Sequence, residues 1–469
     1  MPKVVIIGGG PGGYEAALVA QQLGAEVTVI DRDGLGGSAV LTDCVPSKTL
    51  IATAEVMTDM AAAGQLGIDF QDAQGDSATT IRVDLQKVNH RVKLLAAAQS
   101  FDIEGRLSRR DIRIVKGTGR LGRGVGVGGG DVIATLPDGT QERYAADSVL
   151  IATGARPRVL PTAQPDGERI LTWEQVYDLD ELPEHMIVVG SGVTGAEFAS
   201  AYLALGSEVT LVSSRDRVLP GEDADAAQVL QDVLERRGMN ILGNSRMASV
   251  SRDGDVVTVT LSDGRTVTGS HCILALGSIP NTESLGLEEA GVRLDEGGFI
   301  RIDKVSRTTA PGVYAAGDCT GGFMLASVAA MAGRVAMRHF LGDAVQPVDL
   351  KEISSNVFTS PEIATVGWSE AAIVKGEVEA EVVKLDLVGN ARAKMQGITD
   401  GFVKLIARRG SGVVIGGVVV GPRASELIHP ISLAVKANLT VDQVANTFTV
   451  YPSLSGSIAE AARRLHRVD

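Results

Sequence analysis

Val4-Val5-Ile6-Ile7-Gly8-Gly9-Gly10-Pro11-Gly12-Gly13 places four apolar residues before a run of glycines. A continuous apolar run of this kind suits a parallel strand buried on both faces. Gly8, Gly10 and Gly13 then give the spacing Gly-x-Gly-x-x-Gly, with Pro11 inside it. Residues 14–23 read as a helix stopped by Gly24, and residues 26–30 as a second strand ending at Asp31. Gly8 permits a tight turn, Gly10 lets a pyrophosphate approach the backbone, and Gly13 lets the helix pack against the strand. The helix N-terminus then faces phosphate, and Asp31 is placed to bond a ribose hydroxyl. A glycine motif alone is weak, but strand, glycines, helix, strand and terminal acid in that order are specific.

The unit recurs. Met186-Ile187-Val188-Val189 precedes Gly190-Ser191-Gly192-Val193-Thr194-Gly195, a helix is expected over 196–205, and a strand over 208–212. Each copy closes with a similar late strand, residues 149–157 in the first and 273–280 in the second, which include Thr153, Gly154 and Gly277. One dinucleotide-binding domain is therefore inserted in another, and two different dinucleotides are expected. A helix over 85–100 and a glycine-rich hairpin over 117–130 fill out the first domain. No helix start follows those glycines, so they read as turns and not as another phosphate loop. Gly312-Val313-Tyr314-Ala315-Ala316-Gly317-Asp318 is again a strand ending in glycine and an acid, before a small-residue helix over 326–341. From about residue 347 the texture changes. Residues 403–407 and 413–420 suggest an antiparallel sheet, followed by helices over 424–437 and 441–448. The expected fold is α/β, with two nested Rossmann-like dinucleotide-binding domains and a C-terminal αβ domain.

Composition limits the partners. The 469 residues suggest roughly three domains. A net charge of −13 argues against a nucleic-acid surface, which needs clustered Lys and Arg. No run of about 18 apolar residues suggests stable membrane insertion. Met1-Pro2-Lys3 leads straight into an apolar strand, which is not a signal-peptide layout. Cys44, Cys272 and Cys319 form neither a disulfide framework nor a metal ligand set, so no metal is expected. A reducing cytoplasm is the expected setting.

Taken together, Gly8–Gly13 with Asp31, Cys44-Val45-Pro46-Ser47-Lys48, Ala152-Thr153-Gly154, Gly190 to Glu197, Ala315-Ala316-Gly317-Asp318 and Phe358-Thr359-Ser360-Pro361 resemble the FAD-dependent pyridine nucleotide–disulfide oxidoreductases. The resemblance covers essentially the whole chain. It implies an FAD-binding domain over 1–150 and 279–346, a NAD(P)-binding domain over 151–278, and an interface domain over 347–469 that makes a homodimer. FAD would meet Gly8, Gly10, Pro11, Gly13, Asp31, Arg32, Gly37, Lys48, Gly119, Thr153, Gly154, Asp318, Leu325 and Ala326. The nicotinamide dinucleotide would meet Gly190, Gly192, Val193, Thr194, Gly195, Glu197, Ser213, Arg215 and Gly277. Lys48 and Glu197 match the family's ion pair beside the flavin, where a fixed positive charge favours reduced flavin. Asp31 follows Gly13 by 18 residues, and the same count from Gly195 reaches Ser213. The acid that would repel a 2′-phosphate is thus absent, while Arg215 and Arg217 follow closely. These arginines are either phosphate partners or solvated loop residues. NADPH is expected to be accepted, and NADH stays open.

Two departures decide the chemistry. The family carries two cysteines with four residues between them. Cys44 matches the second, and the first position is Ala39. The family also places His-Pro-Thr-x-x-Glu near the C-terminus, where this chain has Tyr451-Pro452-Ser453-Leu454-Ser455-Gly456. Tyr451 replaces the catalytic base and Gly456 its orienting acid, and a phenol with an ordinary pKa near 10 is a poor base at neutral pH. Dithiol exchange is therefore not expected.

Hydride transfer into the flavin is still expected, so electrons must leave directly to an acceptor. A quinone or another small two-electron acceptor suits a pocket lined by Ala39, Cys44 and Tyr451 of the partner subunit. Cys44 either tunes the flavin as a thiol or thiolate or is retained packing. The favoured reading is an NAD(P)H:quinone oxidoreductase. A soluble transhydrogenase is the nearest alternative, since its members carry Tyr-Pro-Thr at the base motif, although they keep the first cysteine and lose the second. A non-catalytic flavoprotein, acting as sensor or assembly subunit, is the alternative of another class.

Overall fold

The computed structural model describes residues 1–70, 81–125 and 130–466. The chain forms two compact units, one from residues 1–49, 90–158 and 277–349, the other from 50–89, 159–276 and 350–469.

In the first unit, Lys3–Ile7 is the centre of a five-stranded parallel sheet, flanked by Glu26–Asp31 and then Arg113–Lys116 on one side, and Ser148–Ile151 and then Val313–Ala315 on the other. Val4 to Ile7 are all buried, as the apolar run requires, and each such side chain contributes roughly 1.5–3 kcal/mol relative to exposure. Helix Pro11–Gln22 starts three residues earlier than expected because Pro11, with no N–H to satisfy, occupies its first turn behind an N-cap at Gly10. Its Gly12 carbonyl lies against Gly333 of helix Ala326–Phe340, so the two helices approach almost backbone to backbone. A three-stranded antiparallel sheet, Thr118–Leu121, Gly130–Thr135 and Gln141–Ala146, completes this half. Residues 126–129 of the expected glycine-rich hairpin lie outside the described residues.

The second unit repeats the plan with different residues. His185–Val189 is the centre of a five-stranded parallel sheet with Glu208–Val212, Asn240–Leu242, His271–Leu274 and Ile170–Thr172. An antiparallel three-stranded sheet, Met247–Asp253, Val256–Leu261 and Thr266–Gly269, again accompanies it. The same unit holds a five-stranded antiparallel sheet in the order Ser354–Val357, Glu362–Gly367, Val414–Gly421, Phe402–Arg408 and Ala380–Asp386. The expected strands over 403–407 and 413–420 are the adjacent Phe402–Arg408 and Val414–Gly421, the latter at the centre of the sheet.

Helix Val193–Leu205, like Pro11–Gln22, starts three residues earlier than expected, and two further helices differ more in length. The one begun at Leu85 runs to Ser108 and not to residue 100. Ser100 looks like a boundary in sequence, but its hydroxyl donates to the Leu35 carbonyl and leaves the helix intact. Helix Val441–Ala445 is shorter than expected: it opens on a Thr440–Gln443 capping box and ends at Asn446. The chain beyond projects, leaving Phe448, Val450 and Tyr451 at 102%, 78% and 85% exposure.

His271, at the start of its strand, is half-buried and bonded through Nδ1 to the Ser270 hydroxyl. Burial, then the charges of Arg169 and Arg252, lower its imidazole pKa to about 4. A depressed histidine supports folding above its ordinary pKa, and that support fades as pH falls from about 6.5 towards 4. Thermal midpoints against pH should therefore drop less steeply across this window for His271→Gln than for the native chain.

Candidate active site

In the first unit, the turn after Lys3–Ile7 holds Gly8 at φ +105°, where a Cβ would run into the Ala152 carbonyl oxygen. The Gly9 N–H donates to Asp31 Oδ2 at 2.6 Å, and Asp31 Oδ1 accepts from the Asp33 and Gly34 N–H groups at 2.9 and 2.7 Å. Asp31 is thus fixed at the end of its strand with its carboxylate oriented by three amides. Arg32 pairs with Asp33 at the surface. Gly37, at φ +56°, lies so near Gly10 that a Cβ would come within 2.9 Å of the Gly10 Cα, while Gly154, at φ +67°, faces open space. This cradle, floored by glycine and headed by the N-terminus of helix Pro11–Gln22, fits the pyrophosphate of FAD. Thr153 is pinned beside it, its hydroxyl donating to the Asn281 carbonyl and its own carbonyl accepting from Asn281 Nδ2. Gly119 packs flat on Ile7 and Ile30, and Leu325 caps helix Ala326–Phe340.

The stretch that follows forms a short helix, Gly37–Leu41, and then helix Cys44–Ala62. Ala39 and Cys44 are half-buried, Cys44 as the first residue of the long helix, and Lys48 lies one turn further on. Asp43 comes close enough to Asp318 for its charge to act there. Burial first, then the Asp43 charge, raise the Asp318 carboxyl to about 6. The glycine that lets Asp318 turn is Gly317, at φ +85°. No disulfide joins the three cysteines. Cys319 and Cys272 are fully buried, and burial raises both thiols, Cys319 to about 11.

The second unit repeats the turn, with Gly190 at φ +115° against the Ala275 carbonyl and Gly192 capping helix Val193–Leu205. The open face of Gly192 fits a second dinucleotide, while Gly277, at φ +84° and also facing open space, begins the last segment of the first unit. At the strand end, where the first copy has Asp31, Ser213 is fully buried, and its hydroxyl lies 2.7 Å from that of Ser191 and accepts from the Arg215 N–H. Arg215 is exposed, and Arg217 Nε is buried with no hydrogen-bond partner among the described residues. Val193 and Thr194 open the helix, and Gly195 sits under the Gly190 carbonyl oxygen. Glu197 is buried and accepts the Phe358 N–H at 2.9 Å. Tyr451 is 85% exposed on the projecting segment.

Asp43, Ser191 and the Phe358 amide were not among the expected site residues. Ser191 was legible in principle, being the one residue of Gly190-Ser191-Gly192 with a side chain. The proximity of residues 43 and 318, or 197 and 358, leaves no mark in local sequence.

Two glycine cradles of the same construction in one chain, with an acid at one strand end and a hydroxyl at the other, define a two-dinucleotide oxidoreductase. Residues 2–333 match the pyridine nucleotide-disulphide oxidoreductase family, and residues 353–462 match the dimerisation domain of that family. The chain belongs to this family. It is 55% identical over 469 residues to an NAD(P)H dehydrogenase (quinone) of Mycobacterium tuberculosis, covering 99% of this chain and 94% of that one. A dihydrolipoyl dehydrogenase of Chlorobaculum tepidum is 33% identical over 463 residues, covering 98% and 96%. The crystal structure of LpdA from Mycobacterium tuberculosis superposes with a TM-score of 0.95 at 54% identity, covering 100% of both chains.

Proposed function

We propose that the chain is an FAD-dependent NAD(P)H:quinone oxidoreductase that works without a dithiol relay. The observation that carries the reading is the thiol inventory: Cys44 is the one cysteine in the candidate site, Ala39 stands at the position of its partner, and Cys272 and Cys319 are sealed in the cores. The similarity to an NAD(P)H dehydrogenase (quinone) at 55% identity supports the same choice of acceptor.

The overall change is NAD(P)H + quinone + H⁺ → NAD(P)⁺ + hydroquinone, with the hydride leaving the nicotinamide and the single proton coming from solvent. When bound, FAD would supply a two-electron carrier between coenzyme and acceptor. In the proposed arrangement residues 1–150 and 279–346 hold FAD and 151–278 hold NAD(P)H. Residues 347–469 make a homodimer that brings Tyr451 of the partner subunit to the acceptor. Lys48 supplies fixed positive charge at the flavin and Glu197 orients it. Ala39 leaves room for a planar acceptor, against which a phenol can stack or donate a hydrogen bond. Among the described residues no helix is long and apolar enough to cross a membrane, and we place the enzyme in the cytoplasm on its cysteine usage.

An acceptor screen with NADPH and with NADH tests the reading. Quinones should turn over with both coenzymes, and NADPH should not be disfavoured, since Ser213 presents no charge to a 2′-phosphate. Lipoamide, glutathione disulfide and oxidised pyridine nucleotide should be poor acceptors. Efficient transfer to oxidised pyridine nucleotide, with none to quinones, would favour a transhydrogenase instead.

Cysteine chemistry gives a sharper check. Cys44→Ser should keep NADPH-to-quinone turnover within about tenfold, because no covalent step uses the sulfur. Complete loss would contradict direct transfer. Ala39→Cys should restore a thiol pair without lipoamide reduction, because Tyr451 and Gly456 stand where the family carries its histidine base and the acid that orients it.

A further inference from the structure

Glu197 and Ser200 lie three residues apart on helix Val193–Leu205, so they share a face. Both are almost fully buried, at 3% and 5% exposure. One turn of chain, 358–361, meets both of them. The Phe358 N–H donates to Glu197 Oε1 at 2.9 Å, and the Ser360 N–H donates to the Ser200 hydroxyl at 3.2 Å. Arg237, at the C-terminal end of helix Ala224–Arg236, donates to the Ser360 carbonyl at 2.9 Å. Inside the turn, the Thr359 hydroxyl donates to the Pro361 carbonyl at 2.7 Å. The turn leads from strand Ser354–Val357 into Glu362–Gly367, both within the segment that matches the dimerisation domain.

We propose that this turn is a positioning element for hydride transfer, with Ser200 and Arg237 holding the Phe358 amide where it fixes the Glu197 carboxylate. The inference rests on the reading of Glu197 as the carboxylate that orients the flavin-side lysine and the nicotinamide. A backbone amide aimed at one oxygen of a buried carboxylate is a charge-assisted hydrogen bond and sets the plane of the group. The amide is held because Ser360, two residues on, is tied to the nicotinamide-binding fold at both ends of its backbone, its N–H by the Ser200 hydroxyl and its carbonyl by the Arg237 guanidinium. The dimerisation segment therefore contributes to the chemistry of each chain through one main-chain N–H. Residues that hold a catalytic group from behind act on rate more than on coenzyme affinity, since a sub-ångström shift of the reacting groups is enough to slow transfer.

The holoenzyme variants Ser200→Ala, Ser200→Thr, Arg237→Met and Glu197→Gln provide the test. Two quantities are read for each: hydrogen exchange at the Phe358 amide, and the rate of flavin bleaching by NADPH in anaerobic stopped flow across coenzyme concentrations. Ser200→Ala and Arg237→Met should each speed exchange at Phe358 by about tenfold and slow saturating flavin reduction by about tenfold. The NADPH concentration for half-maximal rate should change less than about twofold, and Ser200→Thr, which keeps the hydroxyl, should restore both quantities. Faster exchange with an unchanged reduction rate would reduce the turn to a structural contact and overturn the proposal. Unchanged exchange in both variants would overturn it equally. Glu197→Gln separates the two levels: if it leaves flavin reduction intact, the role of Glu197 fails, whereas a slow Glu197→Gln beside a fast Ser200→Ala sinks the positioning inference alone.

Discussion

Replacing Lys404 by Met should destabilise the chain by about 3–5 kcal/mol, because it strips a buried cation from three carboxylates, one of them, Asp223, itself buried. The Lys404 side chain is 1% exposed, and its ammonium lies 2.8 Å from Asp223, 2.9 Å from Asp225 and 2.5 Å from Glu370. Burial acts to lower its pKa, but the hydrogen bonds it donates to Asp223, Glu370 and Asp225 outweigh burial and hold it above the ordinary lysine value. Asp223 is the critical partner. It is itself buried, and it caps helix Ala224–Arg236 by accepting the N–H groups of Asp225 and Ala226. Loss of the lysine leaves that capping carboxylate charged and without its cation. Asp225 and Glu370 are partly exposed and can recover solvation, so most of the cost falls on Asp223. The measurement is the thermal midpoint at fixed protein concentration, where a fall of at least about 5 °C is expected. Adding Asp223→Asn should recover about half of the loss, since Asn keeps the cap without the charge. A lysine-less variant as stable as the native chain would show that Asp223 finds another partner.

The second large effect separates the two dinucleotide sites. A Cβ at Gly195 would overlap the Gly190 carbonyl oxygen, and a Cβ at Gly13 would overlap the Gly8 carbonyl oxygen. Neither clash can be relieved by a side chain, because the obstructing atom is backbone in both cases. Gly195→Ala should therefore push helix Val193–Leu205 off its strand and displace Glu197 with it. Flavin reduction by NADPH should fall at least about 100-fold, while the protein keeps its bound flavin. Gly13→Ala should do the opposite and yield protein with little flavin, measured as the ratio of flavin to protein absorbance. Loss of flavin from Gly195→Ala would overturn the division of labour between the two cradles.

These effects also mark what was readable before the fold was known. Elements built from contiguous pattern were legible: both glycine turns, the central strands, and two adjacent strands of the C-terminal sheet. So was the substitution of Ser213 for the strand-end acid, because equal spacing from Gly13 and Gly195 carries the register from one copy to the other. Helix ends were less so. Ser100 has the residue type of a boundary, but its hydroxyl is taken by Leu35, and only the tertiary partner reveals it. Lys404 was invisible as anything but a polar residue in an apolar strand, since its carboxylates come from residues 223, 225 and 370. The same holds for Asp43 beside Asp318 and for the Phe358 amide on Glu197. Local pattern encodes backbone shape, whereas these contacts are made by chain segments far apart in sequence.

The repeated turn has one more consequence. At the strand end the first copy sets a carboxylate against the Gly9 amide, and the second sets the Ser213 hydroxyl against that of Ser191. Strand, glycines and helix are otherwise built alike, so the molecule contains its own matched control. Any difference in how its two halves discriminate between ribose substituents belongs to residues 9 and 31 against 191 and 213, with the loops that follow them, and not to the scaffold. Exchanging those few residues between the copies is a graft onto an already tested frame, and the chain itself supplies both donor and recipient.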